Sequence, residues 1–121
     1  MPRQKVKRVV LMNSALRSTA TSTGTVVNID GALDVRVAYR NSLNKGIAVS
    51  IYTDLDQAGT FTVTGTTKTI ATNTVAAVGS ADANWGTVLS MRGGSLKFVV
   101  HPTSAPASGV FYMEAQITRD A

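Results

Sequence analysis

An alternation of apolar and polar residues with a period of two is the feature that most constrains how this chain folds. It is clearest over residues 33–53, where two successive segments carry an apolar side chain at every second position. These positions are Leu33, Val35, Val37, Tyr39, Ile47, Val49 and Ile51. Such spacing puts the apolar side chains of each segment on one face, as in a half-buried β-strand. The polar residues 41–46 between the segments include Asn and Gly, which tolerate positive φ, so the pattern predicts a β-hairpin.

The same alternation returns near the C-terminus and predicts an all-β fold. Further inward-facing side chains are expected at Leu96, Phe98, Val100, Phe111, Met113, Ala115 and Ile117. Shorter strand-like segments occupy residues 9–16, 26–29, 61–64, 75–78 and 85–89. The first of these also fits a short helical turn, and Trp85 is expected in the core. Seven or eight short strands separated by turn-forming residues predict an antiparallel β-sandwich, with jelly-roll and immunoglobulin-like connectivity both open.

The length of the chain and its lack of cysteine limit the remaining possibilities. A chain of 121 residues is sufficient for one domain with its own core. Without cysteine, neither a disulfide nor a thiolate metal site is available. The apolar run at residues 9–12 is too short for the core of a signal peptide or for a membrane span. We therefore expect no signal peptide and no membrane partner.

Positive charge is concentrated at the N-terminus. Residues 1–17 carry five of the twelve basic residues and no acidic residue, whereas the remainder balances seven basic with seven acidic residues. We predict that residues 1–8 form a flexible basic arm and that residues 9–121 form the sandwich domain. The arm would present Arg3, Lys5, Lys7 and Arg8 to nucleic acid or to an acidic protein surface, or it would serve only as a solvated tail.

No motif in the sequence predicts catalysis, a metal or a cofactor. Residues 54–59 resemble the start of a calcium loop, but Ala58 and Gly65 stand where the loop needs oxygen ligands. His101 is the only histidine, and neither a nucleophile nor an acid partner can be named for it. The glycine-rich residues 92–95 lack the length and the following helix of a phosphate loop. We therefore expect a protein that is not an enzyme.

Two tyrosines stand at positions that alternation turns outward. Tyr52 and Tyr112 would lie on the solvent side of their strands, together with Val99 and Val110. Tyrosine is enriched in protein interfaces, so a protein contact is the favoured interpretation. A sugar- or base-stacking surface that also uses Trp85 is the alternative.

Several of these segments resemble small β-sandwich proteins encoded in the virion gene clusters of tailed phages. Residues 39–44 followed by residues 47–52 are similar to the central hairpin of such proteins, and residues 104–109 followed by a long alternating strand are similar to their C-terminal part. The family includes capsid decoration (cement) proteins and head-fibre modules. No residue of a defined binding motif carries over.

The resemblance implies a structural role in a virion, where the protein would be located. It implies an oligomer, often a trimer, that binds a capsid lattice or another virion protein, with the basic arm as an anchor. A nucleic-acid-binding module that uses the arm and a carbohydrate-binding sandwich are the two alternative functions. If the chain comes from a source other than a phage, the absence of a signal peptide predicts the cytoplasm.

Overall fold

Two antiparallel β-sheets pack face to face and confirm the predicted all-β sandwich. The computed structural model describes residues 4–54, 59–63, 67–90 and 93–120. The four-stranded sheet consists, in spatial order, of β1 (Gln4–Ser14), β10 (Phe111–Asp120), β4 (Asp34–Asn41) and β8 (Thr74–Val78). None of the helices in this described part of the chain has the length and apolar character needed to cross a membrane.

The six-stranded sheet is built on two long central strands. β9 (Ser95–Pro102) pairs with β5 (Ile47–Asp54) along the whole length of both. The outer side of β9 carries β2 (Ser22–Thr23) and β3 (Val27–Asn28), and the outer side of β5 carries β6 (Thr62–Val63) and β7 (Lys68–Ile70). The ten described strands therefore fill eight positions, four in each sheet.

The order of the strands decides between the two predicted connectivities. When the eight positions are numbered along the chain, the four-stranded sheet has the order 1-8-3-6 and the six-stranded sheet has the order 2-7-4-5. The last strand lies between the first and the third, and most connections cross from one sheet to the other. This is the double Greek key of a jelly roll rather than the immunoglobulin arrangement.

The predicted hairpin over residues 33–53 is wrong, although both of its strands are present. β4 pairs with β10 and β8, whereas β5 belongs to the other sheet, so the connection between them crosses the sandwich. The side chain of Asn41, which is fully buried, organises this crossing. Its amide nitrogen donates to the carbonyl oxygens of Lys45 (3.1 Å) and Ile70 (3.2 Å), and its oxygen accepts from the backbone N–H of Leu43 (3.1 Å).

The inner faces of the two sheets form the core much as the alternation predicts. Leu33 is half-buried, and the other inward positions are buried. These buried positions are Val35, Val37, Tyr39, Ile47, Val49, Ile51, Leu96, Phe98, Val100, Phe111, Met113, Ala115 and Ile117. At the centre, the ring of Trp85 meets that of Phe98 edge-on, with 5.0 Å between the centroids. The predicted burial of Trp85 is therefore confirmed.

The segment that follows Trp85 is a helical turn and not a strand. Gly86–Leu89 forms α1, in which Val88 and Leu89 are buried and Thr87 is exposed. The apolar residues at positions 85 and 89 suggested a strand because one helical turn is too short to reveal a period of 3.6.

β1 crosses the predicted boundary between arm and domain. Residues 4–8 form its first half and pair with β10, from Gln4 opposite Asp120 to Arg8 opposite Gln116. The described part of the basic segment is therefore a strand of the sheet, and residues 1–3, with Arg3, lie outside the described residues. The physical reason is the length of β10: its ten residues need a hydrogen-bonding partner on the side away from β4.

Two loops lock together at one end of the sandwich. The backbone N–H of Ser42 donates to the carbonyl oxygen of Val110 (3.0 Å), and the Ser42 hydroxyl accepts from the N–H of Val110 (2.9 Å). Gly109 has a φ of +89°, and a Cβ at this position would lie 1.9 Å from the carbonyl oxygen of Ser42. Only glycine therefore fits where these loops cross.

Candidate assembly surface

The basic residues predicted to bind a partner divide between the two faces of β1. Lys7 is opposite the buried Ile117, so Lys7 and Lys5 point toward the inner side of the sheet. Arg8 is opposite Gln116 and points outward. Because all three side chains are exposed, the first half of β1 is a cationic strip that presents charge on both of its faces.

On the inner side, the two lysines lie at the open end of the sandwich near Arg119. The Arg119 guanidinium donates to the carbonyl oxygens of Asn28 (2.9 Å) and Asp30 (3.1 Å), which ties the end of β10 to the other sheet. Within the described part of the chain, neither Lys5 nor Lys7 forms an ion pair. Arg119 therefore links the two sheets, whereas the side chains of the two lysines are exposed.

On the outer side of the sheet, the Glu114 carboxylate contacts three neighbouring polar side chains. It accepts hydrogen bonds from the Tyr112 hydroxyl (3.3 Å) and from the Gln116 amide (3.4 Å), and Arg8 Nε lies 3.9 Å from its carboxylate. Burial, followed by the charge of Glu114 and the hydrogen bond to it, raises the pKa of Tyr112. The Arg40 guanidinium lies 5.6 Å from the centroid of the Tyr112 ring. Tyr112 is thus held within its own sheet rather than projecting as a free anchor.

Tyr52 lies on the outer face of the opposite sheet. It is paired with Lys97, whose ammonium lies 5.9 Å from the Tyr52 ring centroid and 4.6 Å from that of Phe61. Tyr52 and Tyr112 are therefore separated by the full thickness of the sandwich and cannot form one surface. Since Trp85 is buried, the stacking surface considered for sugars or bases does not form from these three residues.

The first half of β1 also has an open edge. Its side chains include two of the largest exposed apolar groups described, Val6 at 56% and Val10 at 50% exposure. Among the described residues, one backbone hydrogen bond reaches β1 from a segment other than β10. The N–H of Thr25 donates to the carbonyl oxygen of Leu11 (2.9 Å). Residues 4–10 therefore leave their outward backbone groups to solvent or to a partner. An edge of this kind is a template for another strand.

One largely buried ion pair was not predicted from the sequence. Lys68 Nζ lies 2.8 Å from the carboxylate of Asp82, and both side chains are largely buried. Asp82 also accepts from the backbone N–H groups of Asn84 (3.0 Å) and Trp85 (2.8 Å). Burial opposes ionisation, but the Lys68 and backbone hydrogen bonds outweigh it and lower the pKa of Asp82. An aspartate two or three residues before such N–H groups is the signal of an Asx turn, and its lysine partner carries no sequence signal.

The segment that resembled the start of a calcium loop is described only in part. The side chain of Asp54 accepts a hydrogen bond from the backbone N–H of Gly59 (2.8 Å). Residues 55–58 and Gly65 of that segment lie outside the described residues. Across the described parts of the chain, no three His, Asp or Glu side chains are grouped so that they could hold a metal ion.

Several proteins of known structure have a fold similar to that of this chain. No protein-family model matches the sequence, and no curated protein matches it significantly. The PBSX exported protein XepA superposes with a TM-score of 0.62 at 12% identity, over 95% of this chain and 37% of its own length. This chain thus corresponds to little more than a third of XepA.

Two further structures match over nearly their whole length. The SPBc2 prophage-derived protein YomS gives a TM-score of 0.55 at 13% identity, over 98% of this chain and 96% of its own. A protein of Bacillus endospore appendages, described as disulfide-linked pili, gives 0.53 at 14% identity, over 99% and 92%. At such identities the likeness shows the fold alone. The resemblance to phage β-sandwich proteins is confirmed to that extent.

Proposed function

We propose that this protein is a non-enzymatic structural component of a virion that attaches to a capsid lattice as an oligomer. The observation that carries the proposal is the first half of β1, a cationic strand with an open edge on an otherwise charge-balanced jelly roll. The fold shared with a prophage-derived protein over nearly the full length of both chains supports the same role.

The charge distribution supports attachment through β1. The net charge of +5 equals the charge of residues 1–17, so attraction toward an acidic surface originates at this end of the chain. Oppositely charged surfaces accelerate encounter and fix orientation more than they add affinity. A capsid surface that exposes acidic side chains would therefore orient the protein with β1 toward the lattice.

We assign self-association to a different edge, that of β8. β8 lies at the opposite side of the four-stranded sheet and has no charged residue in its sequence, TVAAV. Val75 on this strand is 75% exposed. Pairing or packing of β8 with another copy would cover an uncharged edge without bringing the cationic strands together, which suits a closed oligomer such as a trimer.

The test combines the mass in solution with sedimentation on capsids. Light scattering is expected to give an oligomer, and the protein is expected to co-sediment with assembled capsids of the phage or prophage that encodes it. Binding should weaken as salt is raised, because screening reduces attraction between exposed charges. Lys5→Glu should reduce co-sedimentation, while Lys45→Glu, the same change in the exposed β4–β5 loop, should leave it unaltered.

Two results would overturn the proposal. One is a monomer that remains in the supernatant with capsids at low salt. The other is tighter binding to labelled duplex DNA than to capsids, which would favour the nucleic-acid alternative. Four phosphate contacts from Arg3, Lys5, Lys7 and Arg8 would give that binding a salt slope of about −3.6, at about −0.9 for each phosphate.

A further inference from the structure

The open edge of β1 has the dimensions of a strand-binding site. Residues 4–10 extend over about 24 Å at the usual rise of about 3.4 Å per residue. The site ends at Leu11, where the register with β10 shifts and Thr25 occupies the edge. Gly24 packs so close to this point that an added Cβ would lie 2.9 Å from the carbonyl oxygen of Leu11. An extended segment of six or seven residues therefore fits before the corner.

Charge decides which kind of segment can occupy this edge. Two copies of β1 in antiparallel pairing would concentrate the cations Lys5, Lys7 and Arg8 of both chains in one short ladder. Like charges that face each other across a ladder destabilise it, and lysine on an edge strand is a common protection against self-pairing. The same cations favour a strand that carries carboxylates at the facing positions. The occupant is thus a partner and not a second copy.

The pattern along β1 specifies the partner further. Side chains directly opposite each other lie about 5 Å apart on the same face. An antiparallel partner would therefore place apolar side chains opposite Val10, Val9 and Val6, and acidic side chains opposite Arg8, Lys7 and Lys5. Written from its N-terminus, the complementary segment is apolar, apolar, acidic, acidic, apolar, acidic.

We propose that the first half of β1 binds an extended acidic segment of a partner protein by strand addition, which extends the four-stranded sheet. Main-chain hydrogen bonds would supply affinity, and the alternating charged and apolar positions would supply specificity. This inference rests on the proposed attachment to virion proteins and names the chemistry of the contact. Arg8 is suited to it, because its side chain is 71% exposed and its ion pair with Glu114 is long at 3.9 Å.

A fluorescent peptide that contains the sequence VVEEVE tests the proposal on the full-length protein. Anisotropy at low salt is expected to show saturable binding. Lys7→Glu should raise the dissociation constant about tenfold, because an opposite-charge pair becomes a like-charge pair. Lys45→Glu changes the net charge equally and should leave the constant unaltered. Circular dichroism of both variants should match that of the parent protein.

Two control peptides separate strand addition from attraction by charge. The first has the same composition in scrambled order, and the second carries an N-methyl group at every backbone amide, which removes the N–H donors from both of its edges and prevents it from forming a ladder. Both should bind at least about tenfold more weakly. Equal binding of all three peptides, equal effects of the two lysine substitutions, or no binding at low salt would each overturn the inference.

The outcomes also separate this inference from the proposed function. If the protein binds capsids and VVEEVE does not bind, strand addition is wrong while attachment to the virion stands. If VVEEVE binds in the expected manner and capsids do not, the acidic partner lies outside a virion and the proposed function is wrong.

Discussion

The two halves of β1 pair with the same strand and differ in burial. Both pair with β10, but residues 4–10 are largely exposed, whereas Leu11 and Met12 are buried at 2% and 7% exposure. The change occurs at the shift in register with β10 between Val10 and Met12. The second half therefore belongs to the core, and the first half is a surface attached to it by hydrogen bonds.

This difference shows that pairing and burial are separate properties of a strand. The outer half of β1 satisfies the unpaired side of β10 and needs no apolar face to do so. Its side chains can consequently carry charge without disrupting the core. A substitution in the outer half should change binding without changing stability, and a substitution in the inner half should do the reverse.

The largest expected effect is on stability, from two neighbouring substitutions. Leu11→Ala should lower the free energy of unfolding by about 2–4 kcal/mol, because it removes a buried side chain from a packed core. Val10→Ala should lower it by less than about 1 kcal/mol, because that side chain is half exposed. Urea unfolding of both variants measures the difference. Similar losses in the two variants would contradict the division of β1 into two parts.

The next largest expected effect distinguishes the largely buried ion pair of Lys68 and Asp82 from the exposed ion pair of Arg8 and Glu114. Lys68→Met should cost about 1–3 kcal/mol, because it leaves Asp82 with only its backbone donors in a largely buried position. Arg8→Met should change stability by less than about 0.5 kcal/mol, because exposed pairs contribute little. Thermal unfolding at neutral pH measures both. A larger loss of stability for Arg8→Met than for Lys68→Met would show that the Arg8 pair, and not the Lys68 pair, stabilises the fold.

Acid titration sharpens the same comparison. The pKa of Asp82 is lowered in the folded protein, so its stabilising contribution is present above the ordinary value of 3.8 and is lost as pH falls through the folded value. Unfolding free energy should therefore decline more in this acid range for the parent protein than for Lys68→Met. Parallel declines would show that Lys68 does not hold the carboxylate ionised.

The smallest expected effect is that of the cationic side chains on stability. Lys5→Glu and Lys7→Glu should each change the free energy of unfolding by less than about 0.5 kcal/mol, because both lysines are exposed and lack an ion pair in the described structure. Urea unfolding measures this directly. A loss above about 1 kcal/mol in either variant would mean that the lysine stabilises the fold. Weaker binding by that variant would then no longer show that the lysine contacts a partner.

The sequence predicts which residues face the core far better than it predicts which strands are neighbours. Alternation identified the buried faces of β4, β5, β9 and β10, because a period of two reports burial directly. It could not reveal that β4 and β5 lie in different sheets. That arrangement depends on Asn41, whose buried amide bonds residues distant in sequence, and no local pattern distinguishes this asparagine from one in a turn.

The sequence predicts which charged residues belong to the candidate surface, and it does not predict that they lie on a β-strand. The concentration of positive charge before residue 9 is visible in the sequence, and it identified Lys5, Lys7 and Arg8. Because residues 1–8 lack a sustained apolar face, the sequence predicts a flexible arm. These residues form a strand because β10 needs a hydrogen-bonding partner on the side away from β4. That need is visible only once the strand order is known.

Hydrogen–deuterium exchange of the β1 amides tests the central claim most directly. Exchange of residues 4–14 would be followed in the free protein and with saturating VVEEVE peptide or assembled capsids. We expect the amides of residues 4–10 that point away from β10 to exchange rapidly in the free protein and to become protected on binding, while those of residues 11–14 stay protected throughout. Protection that appears elsewhere and leaves residues 4–10 unchanged would contradict the assignment of this edge as the attachment site.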